Sequence, residues 1–245
     1  MGKIILNLLA YLLVVVVNGL ANTLPLNGQT TGEISNRLNV LFTPAGYVFS
    51  IWGLIYLLLG LWVLRQFPAS RRDLPIYQVV SGLFVLSCIL NSLWIFMWHY
   101  NLFGLSVIVM ILLLLTLIRL YVKAEAVDAS FLDRLPFSVY LGWISVATIA
   151  NISYYLTYIE WNGFGISASV WTFILLIIAT LLAFYILITK YDWVYPLVFV
   201  WAFVGIGVQN QDADVPLVVY SSYILAVIIL LVTVFYGFKQ KKSTV

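Results

Sequence analysis

The chain has 245 residues, 64% hydrophobic and 9% charged, with a formal net charge of +3 at pH 7. So little charge cannot clothe a soluble domain of this length, for which about a quarter charged is ordinary. It also leaves no basic surface of the kind that binds nucleic acid, and the single cysteine, Cys88, excludes an intrachain disulfide.

Apolar runs of about 17 to 24 residues recur along the chain, each near the length that crosses a bilayer as a helix. Eight spans are predicted, at 4–21, 44–64, 76–98, 102–121, 136–158, 166–189, 193–208 and 215–237. The expected fold class is therefore an all-α polytopic membrane protein. With the N-terminus inside, eleven of the twelve basic residues fall on the inner side and only Arg37 on the outer. That asymmetry is what the positive-inside bias predicts, so both termini are expected to be cytoplasmic.

In the first span, Lys3, the apolar run and Gly19-Leu20-Ala21 also satisfy the recipe for a cleaved signal peptide, although the run is long for one. Residues 22–41 form the longest polar segment and read as a loop, ordered or mobile. The second span opens with Pro44, suited to a first helical turn. Phe49, Trp52 and Tyr56 follow at helical spacing and share a face. An aromatic belt at the membrane interface is the plain alternative for these rings.

The third span places Asn91, Trp94 and Trp98 at i, i+3 and i+7, an amide and two indoles on one face. Because an unpartnered amide in hydrocarbon is costly, Asn91 is expected to point inward. His99 follows, read as an amphipathic residue at the outer interface. In the fifth span Tyr140, Trp143, Ala147 and Asn151 step by three, four and four. A large ring, a small residue and an amide stacked in this way leave a slot. Close helix packing at Ala147, with Ser145, Thr148 and Asn151 bonding a neighbour, is the competing reading. In the seventh span Gly205 and Gly207 are expected to ease packing. Asp212 and Asp214 read as helix-start or water-facing residues, and Lys239, Lys241 and Lys242 as a cytoplasmic anchor.

Three of these stretches together resemble the TspO/MBR family of tryptophan-rich sensory proteins, which includes the mitochondrial translocator protein. Phe42-Thr43-Pro44-Ala45-Gly46-Tyr47-Val48-Phe49 is similar to the family's Phe-Thr/Ala-Pro-Pro-Gly-Trp-Val-Phe pattern, with the second proline and the tryptophan replaced. Leu90, Asn91 and Trp94 match its Leu-Asn-x-x-Trp-Ser, with Ile95 in place of the serine. The run from Tyr140 to Asn151 matches without a gap. The resemblance covers residues 1–160, a five-helix transmembrane domain, and leaves 161–245 as three additional transmembrane helices with a basic tail.

What the resemblance implies is a membrane receptor or sensor with a ligand slot lined by Pro44, Gly46, Tyr47, Phe49, Trp52, Asn91, Trp94, Trp98, Tyr140, Trp143, Ala147 and Asn151. Trp52, Asn91 and Asn151 each lie roughly 10–12 Å below the outer ends of their spans, at a rise of 1.5 Å per residue. Trp143 lies deeper, as a floor, and the 22–41 loop would cover the slot. The implied ligand is a hydrophobic small molecule of the tetrapyrrole (porphyrin) class, with no cofactor required. A homodimer is one assembly the resemblance allows; the other has the extra helices covering that contact.

No nucleophile–base pair or metal cluster emerges from the spacing, so neither catalytic nor metal-ligating residues are expected. Two alternatives stay open. One is a transporter or permease for a hydrophobic small molecule, although no Asp, Glu, Lys or Arg stands near the centre of a span, as coupled carriers usually require. The other is light-dependent porphyrin breakdown, which the resemblance allows. The expected location is a bacterial inner (plasma) membrane, with membrane lipids as the surrounding partners.

Overall fold

A computed structural model describes residues 1–24, 26–127 and 129–243, with side chains as far as residue 237. The side chains of Lys239, Lys241 and Lys242, expected to anchor the tail, lie outside the described residues. Among the described residues all regular elements are helical. They are α1 (Gly2–Thr23), α2 (Thr31–Asn36), α3 (Ile51–Leu64), α4 (Pro75–His99), α5 (Phe103–Ala126), α6 (Phe131–Tyr158), α7 (Ala168–Lys190), α8 (Val194–Asn210) and α9 (Pro216–Ser243). Seven helical segments are long and apolar enough to cross a membrane, and α8, at 17 residues, is shorter. The eight expected spans are all helices.

Local chemistry sets the ends. Pro75 occupies the first turn of α4, where its missing N–H costs nothing. Thr30 and Glu33 close a reciprocal capping box on α2. Ser167 caps α7 through the Val170 N–H. Asp192 opens α8, its Oδ1 accepting from the backbone of Val194 at 2.9 Å and Tyr195 at 3.2 Å.

The second span starts differently from its expectation. Pro44 does not open an α-helix. A 3-10 turn runs over Gly46–Ser50, and the α-helix begins at Ile51, so Phe49 lies outside the helical register of Trp52 and Tyr56. The local hydrogen bonding is the tighter i→i+3 kind: the Val48 N–H closes on the Ala45 carbonyl at 2.9 Å, while the Ala45 N–H donates to the Gly205 carbonyl of α8 at 3.0 Å.

The chain packs as two compact units. The first holds residues 1–37 and 51–144, the second 38–50 and 145–245. The expected division at residue 160 counts spans against a family pattern; the packing boundary falls inside α6.

In the first unit α4 packs against both α1 and α5, and α1 also touches α3. Gly60 allows that last approach, because a Cβ there would stand 2.5 Å from the Tyr11 hydroxyl. Fully buried Trp62 ties α3 to α4 and α6 through Tyr77, Phe84 and Phe137, with ring centroids 4.9–5.4 Å apart. Buried Asn7 donates to Gln66 at 2.8 Å and Ser81 at 2.9 Å, which satisfies its amide N–H groups in an apolar layer.

At the end of this unit where α6 begins, Asp133 is 1% exposed and surrounded by donors. Arg65 Nε reaches it at 2.9 Å, Arg71 Nη2 at 2.8 Å, the Tyr77 hydroxyl at 2.8 Å and the Ser130 hydroxyl at 2.5 Å. The hydrogen bond to Asp133 holds the Arg65 guanidinium above its ordinary pKa.

In the second unit α7, α8 and α9 pack on one another. Gly207 faces Tyr223 so closely that a Cβ would stand 2.7 Å from the ring, and a Cβ on Gly205 would overlap Val48. Both glycines therefore serve packing, as expected. Residues 41–48 are laid against α8 by three hydrogen bonds. Besides Ala45 to Gly205, the Trp201 indole donates to the Val48 carbonyl at 3.1 Å and the Asn210 amide to the Leu41 carbonyl at 3.0 Å.

Candidate functional site

The first unit gathers six of the twelve expected site residues around one ring. Trp52 on α3 stacks on Tyr56, one turn on, at 5.6 Å, and on Trp94 of α4 at 6.3 Å. It meets Tyr140 and Trp143 of α6 edge-on, each at 6.1 Å. Trp94 stacks in turn on Trp98 at 5.8 Å. The i, i+3 and i, i+4 spacings put these rings on one face of each helix, and edge-to-face contacts suit the quadrupoles of adjacent rings.

A polar chain runs beneath the rings. Asn91 is fully buried; its Oδ1 accepts from the Asn18 amide at 2.8 Å and its Nδ2 donates to the Tyr140 hydroxyl at 2.9 Å. Asn18 also donates to the Val14 carbonyl at 2.9 Å. The expected inward orientation of Asn91 is observed, and its amide is satisfied on both sides. Tyr140 and Trp143 are almost wholly buried, whereas Trp52 and Tyr56 keep part of their surface.

The other six residues belong to the second unit. Pro44 is buried against the position a Gly205 Cβ would take, at 3.2 Å. Tyr47 is exposed and meets the Trp201 ring edge-on at 5.3 Å. Gly46 is exposed and Phe49 half-buried in the same 3-10 turn, while Ala147 is half-buried and Asn151 buried on the far half of α6.

His99 departs from its expected interfacial place, being 0% exposed. Residues 26–37 fold over it. Its Nδ1 donates to the Leu26 carbonyl at 3.1 Å, which leaves Nε2 to accept from the Thr31 hydroxyl at 3.0 Å in the neutral ring. Asn27 donates to the His99 carbonyl at 3.0 Å, and Arg37 to Asn101 at 2.9 Å. Residues 26–37 are thus held on the end of α4.

Sequence reasoning missed the Asp133 cluster and the α8 residues that hold the 41–48 stretch. For Asp133 a signal existed: a carboxylate beside the basic residues of an inner loop, three residues before Pro136 at the mouth of a span. For Trp201, Gly205 and Asn210 there was none, because their partners lie more than 150 residues away.

Helices of membrane-spanning length define a multi-pass integral membrane protein. The chain belongs to the TSPO-like protein family, whose model matches residues 4–235, and the match places it in the general class of membrane sensor or binding proteins. The match runs on through α7 and α8 and into α9, well past the five helices that the sequence motifs covered. No curated protein and no solved structure matches the chain.

Proposed function

We propose that the protein is a membrane receptor that binds a flat, hydrophobic, tetrapyrrole-like molecule at the Trp52 cluster, in a bacterial inner membrane with both termini cytoplasmic. The observation that carries this reading is the contrast within the cluster. Trp52 and Tyr56 stack and stay partly exposed, while Trp94 also stacks on Trp52 and Tyr140 and Trp143 hold it edge-on. A fixed, partly open ring pair is a stacking platform for an extended π-system, and the Tyr56 hydroxyl is turned inward, donating to Asn91 Oδ1 at 3.5 Å. The amide chain through Asn18, Asn91 and Tyr140 keeps the platform in one geometry. No ionisable carboxylate or amine takes part, so the cluster suits binding better than ion-coupled transport.

The test is a titration of detergent-solubilised protein with protoporphyrin IX in the dark, following the porphyrin absorption band and tryptophan quenching. Wild-type protein should saturate in the micromolar range. Trp52→Leu, with unchanged circular dichroism, should weaken binding by about tenfold, the upper worth of one aromatic contact. Unsaturable binding, or equal affinity in the variant, would sink the platform. Illuminating the saturated complex then shows whether a new absorbing product forms.

A further inference from the structure

A second site uses none of the residues of the aromatic cluster. Within the second unit, residues 39–42, the far half of α6, the turn at Gly163 and the start of α7 line a half-open cavity of about 420 Å3. That volume is in the range of sites that take drug-sized molecules.

The walls are chemically divided. Ile149, Ile152 and Leu156 of α6 and Leu175 of α7 supply an aliphatic side, and Trp161 and Trp171 an aromatic one. The two indoles lie 5.5 Å apart and tilted by 49°. They are built in place: Trp171 Nε1 donates to the Gly163 carbonyl at 2.9 Å, and Gly163 has a φ of +63°. A Cβ on that glycine would stand 3.2 Å from the indole nitrogen, so the position favours glycine both for its backbone and for its space. No lining residue is charged.

Two hydroxyls are left over. Buried helical threonines elsewhere return to the carbonyl four residues back; Thr116, Thr180 and Thr233 do so at 2.7–2.8 Å. Thr172 is 5% exposed and lines the cavity, as does half-buried Ser153. Among the described residues neither hydroxyl has a hydrogen-bond partner. Both hydroxyls are therefore open to a guest, and a molecule with one hydrogen-bonding atom would give them a partner. An ion is disfavoured, since nothing in the wall would balance its charge on leaving water.

We infer that this cavity is a second binding site, for an uncharged, largely apolar molecule with a single hydrogen-bonding group. The polar group is held by Thr172 and Ser153, and the body lies between the aliphatic wall and the Trp161–Trp171 pair.

Benzophenone is a suitable probe, with two rings, one carbonyl acceptor and no charge. On near-ultraviolet excitation its carbonyl carbon inserts into a neighbouring C–H bond, the hydrogen passing to the oxygen, which leaves a tertiary alcohol that mass spectrometry can map. Protein in lipid nanodiscs would be irradiated over a concentration series. Saturable adducts within residues 149–157 and 161–175 are expected. Thr172→Val, which keeps the shape and removes the hydroxyl, should shift half-saturation about fivefold upward, the worth of one neutral hydrogen bond. Ile152→Trp, which fills the space, should abolish labelling there. Adducts spread evenly over exposed positions such as Leu57, Leu115 and Leu181, or cavity labelling unchanged by Thr172→Val in folded protein, would overturn the assignment.

Discussion

The hydrogen bond between Asn91 and Tyr140 offers a direct test of how the aromatic cluster is held. Tyr140→Phe keeps the ring against Trp52 and removes one hydroxyl. The Asn91 Nδ2 group that donated to it at 2.9 Å is then left without that acceptor at a site with 0% exposure. A neutral buried hydrogen bond is worth about 1 kcal/mol net, and bonds between membrane helices average about 0.6 and reach about 1.7 kcal/mol. The expected cost of Tyr140→Phe is therefore about 1–2 kcal/mol. Asn91→Ala also removes the acceptor of the Asn18 amide, at 2.8 Å, so its cost should be larger, about 2–4 kcal/mol with the lost packing. The decisive quantity is the coupling between the two. Reversible unfolding by sodium dodecyl sulfate from mixed micelles, followed by circular dichroism, would give all four corners of the cycle. The double variant should be less damaged than the sum of the singles by about 1 kcal/mol. Additivity within about 0.3 kcal/mol would mean that the two side chains do not bond, and the account of a rigid platform would fail with it.

Two further outcomes follow from the polar clusters. Asp133→Asn keeps the shape but removes the charge that Arg65 and Arg71 share. Because those guanidinium groups are 27% and 30% exposed, the loss should be about 2–3 kcal/mol, below that of a fully buried pair, in the same unfolding assay; an unchanged midpoint would contradict it. Glu33 accepts from the backbone N–H and hydroxyl of Thr30, which lowers its pKa. Its contribution to α2 should be fully present above the ordinary carboxylate range and lost as pH falls through the lowered value. Amide-exchange protection of residues 31–36, corrected for intrinsic rates, should show that loss, and Glu33→Gln should erase its pH dependence; the same profile in both proteins would refute the assignment.

The spans were legible because length and hydropathy are local properties, and so was the inward turn of Asn91, since an amide in hydrocarbon needs a partner. The face shared by Tyr140 and Trp143 was legible for the same kind of reason, helical spacing. Pro44 misled because a first-turn proline is only a local preference, and the chain runs through a 3-10 turn at Gly46–Ser50 before the α-helix begins. His99 misled because its surroundings come from residues 26–37 folding back, which no periodicity records. The role of α7–α9 was illegible in the motifs, since Gly205 reads as a packing residue whatever it packs against. Its partners, Pro44 and Val48, sit in the very stretch that signalled the family.

That docking has a consequence in time. Residues 41–48 are made early, yet the groups that complete their hydrogen bonds come 153 residues later for Val48 and 169 later for Leu41. At a synthesis rate of about 5–20 residues per second, the wait is on the order of 10–30 seconds. Throughout it the carbonyls of Leu41 and Val48 and the N–H of Ala45 must find other partners beside a membrane, where unpaired backbone is expensive. The nascent protein therefore passes through a long-lived stage in which one of its family-like stretches is inserted but not yet seated. Whatever shields that stretch during insertion, water, lipid headgroup or chaperone, is displaced only when α8 arrives.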